Sequence, residues 1–304
     1  MPASDAITRG SGAVRRPREE EIDAYGVTHR GKVRKDNQDH YLVCSLSRQL
    51  TVRGSSIPGA EDLLGANERL ASLAMVADGV GGAAAGETAS RVALTGIAKY
   101  VTRSLRCYYR SLDGAEEFAD ALRAASRECH ADLLRRAEAD PEYSGMATTL
   151  TLYFSVWPNA YVLQVGDSRA YVLRGTDLVR LTRDQTMAQE MVDLGIMKPE
   201  EVANTRLEHT LTSSIGGHQT APTVTHFEMD WGHVVLLCSD GLTRHVPDRR
   251  ISEVLREMRS ARQACETLLE EALADGGTDN VTIVVGRAMR REGDAGIMAK
   301  PGNE

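Results

Sequence analysis

Several features common in other classes of protein are scarce in this chain of 304 residues. No apolar run approaches the roughly 20 residues that a membrane-spanning helix needs, and the N-terminal sequence MPASDAITRGSGAVRRPREEE lacks the apolar stretch of a secretory signal. The 5 cysteines lie far apart and form no C-x-x-C pair, which favours reduced thiols over a disulfide scaffold or a zinc site. We therefore expect a cytoplasmic protein that does not act at a membrane.

A surplus of basic residues is also absent. Lys and Arg together number 36 against 43 for Asp and Glu, so the formal net charge is −7. A general nucleic-acid-binding protein would need a clustered cationic surface, so the composition argues against a nucleic-acid partner. The hydrophobic content of 42% and the charged content of 26% are ordinary for a globular enzyme.

The composition divides the chain into three segments. Residues 1–21 are rich in Gly, Ser, Arg and Glu without a hydrophobic period, which predicts a disordered N-terminal arm. Residues 288–304 have a similar composition and predict a flexible C-terminal tail. Residues 22–287 contain neither a Pro- or Ser-rich linker nor a repeat and are interpreted as one domain. The chain shows no coiled-coil heptad, so a monomer is expected.

Strand and helix signals alternate in blocks within this domain. Apolar residues at helical spacing predict two successive helices over residues 89–101 and 118–133. Residues 149–156 and 161–165 are β-branched and aromatic and flank a short turn, which predicts a hairpin. Further strands are predicted at 41–43, 73–77, 169–173, 178–181, 234–238 and 281–285. Further helices are predicted at 183–203, with an interruption around 195–199, and at 249–258 and 260–274. Strands joined by tight turns together with paired helices indicate an α+β protein with antiparallel sheets.

Five aspartates stand next to predicted strands. Asp78, Asp167, Asp240 and Asp279 each adjoin a Gly or another small residue, and Asp39 precedes a strand. Carboxylates brought together at strand ends repel one another unless cations lie between them. Oxygen ligands without His or Cys suit Mg²⁺ or Mn²⁺ rather than zinc. Asp-Gly and Asp-Asn are also common turn pairs, so the prediction rests on the whole set.

Two other motifs suggest different chemistry. Residues 79–84 fit the G-x-G-x-x-A fingerprint of dinucleotide-binding proteins, but a second helix follows where that fold needs a parallel strand. Ser168 lies in GDSRA, which approximates the nucleophile elbow of serine hydrolases. The elbow requires a following helix, and AYVLR predicts a strand instead. A serine hydrolase using Ser168 therefore stays as an alternative.

Six motifs occur in the order found in one known family: RKDNQD, VADGVGG, TTLTLYFSVWPNAYVLQVGDSRAYVLR, LTSSIGG, LLCSDGL and GGTDNVTIVV. Over residues 22–287 the chain resembles the type 2C metal-dependent serine/threonine protein phosphatases, the PPM family, in their compact bacterial form. The resemblance implies a four-layer αββα sandwich. In that fold two antiparallel β-sheets are flanked by helix pairs, and the metal site lies at one end of the sandwich.

The resemblance also implies a metal site formed by three aspartates and one backbone carbonyl. Asp78 would bridge two divalent ions, Mn²⁺ or Mg²⁺. The carbonyl oxygen of Gly79 would bind one ion, and Asp240 and Asp279 would bind the other. Two such ions lower the pKa of a shared water and stabilise the charge of the phosphoryl group.

Three further residues have implied roles. Asp39 would act mainly through metal-bound water. Asp167 matches the residue that, together with Asp240, holds a third metal ion in bacterial members. Arg34 stands where the family places its phosphate-binding arginine, and a guanidinium can hold two phosphate oxygens at once.

The implied activity is hydrolysis of phosphoserine and phosphothreonine in proteins. Water activated by the two metal ions would attack directly, without a phosphoenzyme, and the enzyme would reverse the action of a bacterial Ser/Thr kinase. The second hypothesis is a catalytically weak relative that binds phosphoproteins. Since every metal carboxylate of the family is present, the enzyme is favoured over the binding protein.

The sequence departs from the family pattern at several positions. Val80 replaces a His that many members have, Gln38 replaces a Glu, and Gln185 replaces a His. Residues 47–70 read as an inserted surface loop that the fold tolerates. Residues 183–214 correspond to the flap that the family places beside the active site, and their departures make substrate preference the least transferable property.

Overall fold

The computed structural model describes residues 15–48, 68–108, 115–202 and 205–290. Within these ranges the chain forms strands β1 (Ile22–His29), β2 (His40–Arg48), β3 (Glu68–Ala77), β4 (Gly79–Val80), β5 (Ala147–Thr148), β6 (Leu150–Val156), β7 (Asn159–Val165), β8 (Arg169–Arg174), β9 (Asp177–Arg180), β10 (Thr223–Glu228), β11 (Val234–Cys238) and β12 (Val281–Ala288). The helices are α1 (Ala83–Tyr108), α2 (Ala115–Ala139), α3 (Met187–Asp193), α4 (Pro199–Val202), α5 (Asp240–Thr243), α6 (Asp248–Glu257) and α7 (Ala261–Ala274).

Ten of these strands form two five-stranded sheets. The first sheet has the order β1-β12-β11-β8-β9, and the second has the order β10-β7-β6-β3-β2. All strand pairs are antiparallel, and β4 and β5 form a separate short ribbon. The predicted hairpin is confirmed as β6 and β7, with Val156 opposite Asn159 at the turn.

Three hydrophobic cores separate four layers. Helices α1 and α2 cover the second sheet through residues such as Ile97 and Leu122, which recur at helical spacing on the buried faces. Helices α6 and α7 cover the first sheet through Leu255 and Leu268 in the same way. The third core lies between the two sheets, where alternate strand residues point toward each other: Val76, Val162, Val172, Leu237 and Val284. The predicted αββα sandwich is therefore confirmed.

Strand register brings the predicted aspartates to one end of the sandwich. His40 pairs with Ala77, so Asp39 and Asp78 adjoin the same end of the β2–β3 pair. Cys238 of β11 pairs with Ile283 of β12, which places the ends of those strands that lead to Asp240 and Asp279 side by side. Because antiparallel neighbours alternate in direction, strand ends and strand starts meet at one edge. We call this edge the aspartate end.

The structure differs from the prediction at four strands and at the ends of the predicted domain. Of the strands that the sequence did not predict, β1 and β10 are sheet edges, and β4 and β5 form the short separate ribbon. The predicted arm over 1–21 is ordered in part, since Glu21 is buried and bonds Arg15, and 1–14 lie outside the described residues. β12 extends one residue into the predicted tail over 288–304, of which 291–304 lie outside the described residues.

Most of the predicted insertion over residues 47–70 also lies outside the described part of the chain, which omits 49–67. The described ends of that segment continue β2 and begin β3. None of the helices in the described ranges is long and apolar enough to cross a membrane.

Candidate metal centre

A cleft of about 890 Å³ opens at the aspartate end. Its walls include the edge of the β-sandwich and the segment that follows α4. Six of the seven residues predicted from the sequence line it: Arg34, Asp78, Gly79, Asp167, Asp240 and Asp279. The structure thus brings together residues that are up to 245 positions apart along the chain.

Asp78 and Gly79 are fixed by backbone contacts at the end of β3. The amide N–H of Asp78 donates to Thr149 Oγ1 at 3.0 Å, and its carbonyl accepts from the amide of Thr149 at 2.9 Å. A side chain at position 79 would collide with the carbonyl oxygen of Gly86 and would lie 2.8 Å from that of Gln38. Only glycine fits there, because the backbone segments around it approach so closely.

Asp39 lies behind the cleft and is only 2% exposed. Its Oδ2 accepts hydrogen bonds from Ser239 Oγ and Thr282 Oγ1, both at 2.7 Å. These two hydroxyls come from neighbouring strand ends in the first sheet, whereas Asp39 leads into the second. Asp39 therefore joins the two sheets at the aspartate end through Oδ2, whereas its Oδ1 is buried and has no hydrogen-bond partner among the described residues.

Two arginines contact the carboxylates on the opposite side of the centre. Arg34 Nη2 donates to Asp279 Oδ2 at 2.8 Å, and Arg244 Nη1 donates to the same oxygen at 2.8 Å. Arg244 also forms an ion pair with Asp240, four residues earlier at the start of α5. Arg244 thus bridges two of the predicted metal ligands, and Arg34 lies beside them.

Asp167 lies in the tight connection between β7 and β8. Gly166 has φ of +101°, a conformation that favours glycine, and it presses against Thr149. The turn directs Asp167 into the cleft, where its nearest charged neighbours include Asp240 and Arg244. Asp167 and Asp240 therefore line the same cleft, and their charges influence each other.

Burial and mutual repulsion raise the pKa values of the clustered aspartates. Burial, with Asp240 and Asp279 nearby, raises the pKa of Asp39 to about 7 despite its two hydrogen bonds. Burial also raises the pKa values of Asp78 and Asp167 well above the ordinary range, and both are raised further by neighbouring carboxylates. The pKa of Asp240 is raised by burial and lowered by Arg244. Such a cluster is stabilised by cations between its members.

The donor set fits a divalent cation of the Mn²⁺ or Mg²⁺ type. Among the described residues, Oδ1 of Asp39 and Oδ1 of Asp240 are buried oxygens without a hydrogen-bond partner, which is costly unless a cation or water satisfies them. All of the predicted donors are oxygens, as these hard ions prefer. In the described part of the chain no three acidic, His or Cys side chains already surround one point. The positive charge between Asp240 and Asp279 comes from Arg244.

Ser168 does not have the surroundings of a hydrolase nucleophile. It is 0% exposed, and its Oγ hydrogen-bonds Thr149 Oγ1 at 2.7 Å. The chain continues from it into β8, not into the helix that a nucleophile elbow requires. The structure therefore argues against the serine hydrolase alternative.

Sequence reasoning missed several residues of the cleft. Asn280, which is 5% exposed, accepts from the amide of Gln38 and donates to the carbonyls of Arg30 and Asp36. It thereby holds the loop that carries Arg34. In the sequence, only the aspartate of the Asp279-Asn280 pair suggests a metal ligand, and Arg244 is marked only by its position four residues after Asp240.

The predicted flap contributes one wall of the cleft. Its residues His209, Thr210, Leu211, Thr212 and Ser214 line the cavity, followed by residues 216–219. Gln185, the residue that departs from the family pattern, donates to the carbonyl of Ala221 at 2.8 Å and accepts from the amide of Gly166 at 2.8 Å. The flap is thereby tied to the turn that carries Asp167.

A family model and two curated relatives match this chain, and all three are phosphatases. The family model described as Protein phosphatase 2C matches residues 60–275. The serine/threonine protein phosphatase PstP of Mycobacterium tuberculosis is 36% identical over 236 residues, which cover 77% of this chain and 43% of that protein. The serine/threonine phosphatase stp of Listeria monocytogenes is 30% identical over 217 residues, covering 70% of this chain and 83% of that one. The match therefore spans less than half the length of the mycobacterial relative.

Solved structures agree in fold. The crystal structure of M. tuberculosis PstP superposes with a TM-score of 0.70 at 30% identity, covering 88% of this chain and 99% of that one. A second structure, the catalytic domain of PstP in complex with two manganese ions, gives a TM-score of 0.66 at 30% identity over 88% of this chain and 99% of that one. From the matched family model, the relatives and the shared fold, we conclude that this chain belongs to the protein phosphatase 2C family.

Proposed function

We propose that this protein is a metal-dependent phosphatase that hydrolyses phosphoserine and phosphothreonine in proteins. The observation that carries the proposal is the convergence of Asp39, Asp78, Asp240 and Asp279 at one end of the sandwich, with Arg34 on Asp279. Carboxylates at this density serve cation binding, and a phosphate ester supplies the anion that such cations attract. The family membership of the chain supports the same activity.

Two Mn²⁺ or Mg²⁺ ions are the proposed cofactors. Asp78, Asp240, Asp279 and the carbonyl oxygen of Gly79 would hold them, and Asp167 with Asp240 would hold a third. When bound, these ions neutralise the phosphoryl oxygens and lower the pKa of water. The two-manganese complex of the PstP catalytic domain supports a dinuclear site. The buried, unpartnered Oδ1 of Asp240, among the described residues, supports its role as a ligand.

The protein residues supply orientation and charge. Arg34 is proposed to bind two phosphoryl oxygens bidentately, since its guanidinium lies at the cleft wall. Asn280 positions the Arg34 loop through three hydrogen bonds. Asp39 has Oδ2 fixed by two hydroxyls, so its Oδ1 is the atom that can accept a hydrogen bond or a proton from water near the reacting phosphate.

The substrates and cellular setting are proposed on the same basis. The cleft is open, and the flap forms one wall, which suits a phosphorylated peptide segment better than a fully enclosed small molecule. The enzyme would reverse a bacterial Ser/Thr kinase in the cytoplasm, acting as a monomer without nucleic-acid or membrane partners. A catalytically weak phosphoprotein-binding relative is not favoured, because every predicted carboxylate is present at the cleft or behind it.

Phosphate release from a phosphothreonine peptide tests the proposal. We expect turnover with Mn²⁺, loss of turnover with a chelator, and loss of turnover in Asp240→Asn. Asp177→Asn is the matched control, because Asp177 is an exposed aspartate at the start of β9 and does not line the cleft. Activity that persists with the chelator and in Asp240→Asn would contradict the proposal. Peptide binding without turnover in excess Mn²⁺ would support the binding relative instead.

A further inference from the structure

A second cavity lies between the two sheets at the end opposite the aspartates. It has a volume of about 370 Å³, within the range of small-molecule pockets. Its lining comes from the first half of β1, from β2, β3 and β11, and from the second halves of β6 and β12. The same strands have their other ends at the metal centre. We call this space the intersheet cavity.

The intersheet cavity exists because small residues face each other across the sheets. Ala24 and Gly286 on the first sheet oppose Ser72, Ala74 and Ser155 on the second. Protein interiors normally pack densely enough to leave few voids larger than a water molecule. Ala24 is exposed even though it lines the space between the sheets. The cavity is therefore open to solvent and has an apolar interior.

Two buried N–H donors point to a ligand. Within the described part of the chain, Nε of Arg69 and Nε1 of Trp157 have no hydrogen-bond partner. The Arg69 side chain is 7% exposed and Trp157 is 7% exposed, so neither donor is well hydrated. Because Ser72 pairs with Ser155, Arg69 and Trp157 lie at the same end of the β3–β6 pair. A buried donor without an acceptor is costly and calls for one.

The contacts and charged neighbours of Arg69 indicate which kind of head group the ligand would have. Arg69 uses Nη1 to contact Ser72 and Nη2 to donate to the carbonyl of Pro17 at 2.9 Å, which leaves Nε. Glu19, which also lines the cavity, forms an ion pair with Arg69 in which Oε2 lies 3.9 Å from Nε, too far for a hydrogen bond. Arg287, on the opposite sheet, is paired with Asp23. Arg69 is therefore held at the cavity wall by Ser72 and Pro17, and its Nε has no hydrogen-bond partner among the described residues.

We propose that the intersheet cavity binds a small amphipathic carboxylic acid. Its apolar chain lies between the sheets against residues such as Val43, Leu237 and Val284, and its carboxylate accepts from Arg69 Nε and Trp157 Nε1. A carboxylate supplies only acceptors and carries the charge opposite to that of arginine. The site is independent of the metal centre, and it does not depend on the proposed phosphatase activity.

The fluorescence of Trp157 offers a direct measurement. The chain has 2 tryptophans, and Trp231 packs against Trp157 with ring centroids 5.3 Å apart but does not line the cavity. In the full-length Trp231→Phe protein, emission therefore comes from Trp157 alone. We expect sodium decanoate to shift that emission saturably, with one-to-one stoichiometry by calorimetry. Decan-1-ol, which has the same chain without the charge, should bind at least about tenfold more weakly.

Two kinds of variant locate the binding site. Ala74→Leu fills the cavity and should weaken decanoate binding at least about tenfold; Gly286→Val tests the same point from the other sheet should Ala74→Leu not fold. Arg69→Met keeps the length of the side chain and should abolish the preference for decanoate over decanol. Folding of each variant is checked by its thermal transition. Absence of saturable binding, or binding unchanged in both the cavity-filling variant and Arg69→Met, would overturn the proposal.

Discussion

The two ends of the β-sandwich are built from the same strands but in opposite ways. At the aspartate end, charged side chains crowd together and backbone segments approach so closely that only glycine fits at position 79. At the cavity end, small residues face each other, and adding a side chain at Gly286 would bring its Cβ only to an ordinary contact of 3.6 Å with Ala24. Crowding at one end and open space at the other thus arise within one pair of sheets.

This contrast shows how a single core can carry two sites. Repulsion among carboxylates at the aspartate end must be offset by cations or arginines, so that end depends on its charges. The cavity end lacks packing contacts between the sheets. Its stability therefore depends on the side chains or ligand that fill the space. The aspartate end should therefore respond to changes of charge and backbone, and the cavity end to changes of side-chain volume.

Alanine at the two glycines gives the largest expected difference. Gly79→Ala should destabilise the fold by about 3 kcal/mol or more, because the new methyl group collides with the carbonyl of Gly86. Gly286→Ala should stabilise it by about 0.5–1 kcal/mol, because the strand loses a flexible glycine and no clash arises. Denaturant unfolding of both variants measures the difference. Equal changes in the free energy of unfolding at the two sites would contradict the contrast between crowding at Gly79 and open space at Gly286.

Replacement of the phosphate-binding arginine is expected to have the next largest effect. Arg34→Lys keeps the charge but loses bidentate contact, so kcat/KM for a phosphothreonine peptide should fall about a hundredfold. The matched control is Arg249→Lys on α6, an exposed arginine paired with Glu253 outside the cleft. A fall of less than threefold in Arg34→Lys would remove Arg34 from its proposed role.

The raised pKa of Asp39 predicts an inverse pH dependence for the metal-free protein. Folding raises the pKa of Asp39 from 3.8 to about 7, so the folded state binds more protons between these values. Stability is then greatest below pH 4 for this group and is lost as pH rises through about 7, by on the order of 2 kcal/mol. Thermal unfolding with a chelator at pH 5 and pH 8 measures the loss.

Asp39→Asn is the variant for that experiment, since an amide oxygen can still accept from Ser239 and Thr282. We expect a smaller loss of stability between the two pH values than in the unmodified chain. A loss remains because the pKa values of Asp78, Asp167 and Asp240 are also raised. A pH dependence identical to that of the unmodified chain would show that Asp39 is not the titrating group.

The smallest of the predicted effects on catalysis concerns Asn280. Asn280→Ala removes three hydrogen bonds that hold the Arg34 loop, so KM for the peptide should rise about tenfold and stability should fall by about 1.5 kcal/mol. Asn159→Ala, which removes one bond to His226 at the turn of the β6–β7 hairpin, is the control. A change in kcat alone would instead indicate a direct role in the chemical step.

The interior strands could be predicted from the sequence, whereas two edge strands could not. β3, β6, β7 and β11 are largely buried, so their continuous apolar composition is visible without the structure. Within the described part of the chain β1 and β10 each have one partner strand, as the predicted edge strands β2 and β9 do, but β1 and β10 mix polar with apolar residues and so give a weaker local pattern. Their pairing depends on the neighbouring strand, which a local pattern does not reveal.

The site divides along a similar line. The aspartates adjoin strand ends in recognisable motifs, so their convergence could be predicted. Asn280 and Arg244 contact residues that are 250 and 35 positions away in the sequence. No local sequence pattern indicates that these two residues belong to the site. The intersheet cavity was equally invisible, since it depends on which small residues face each other across two sheets.

Anomalous diffraction from a crystal grown with Mn²⁺ tests the central claim most directly. We predict two manganese peaks in the cleft, with Asp78 between them, the carbonyl of Gly79 on one, and Asp240 and Asp279 displaced from Arg244 onto the other. A weaker third peak at Asp167 would agree with the account. Manganese bound elsewhere, or a cleft in which Arg244 keeps both aspartates while the peptide is still hydrolysed, would contradict it.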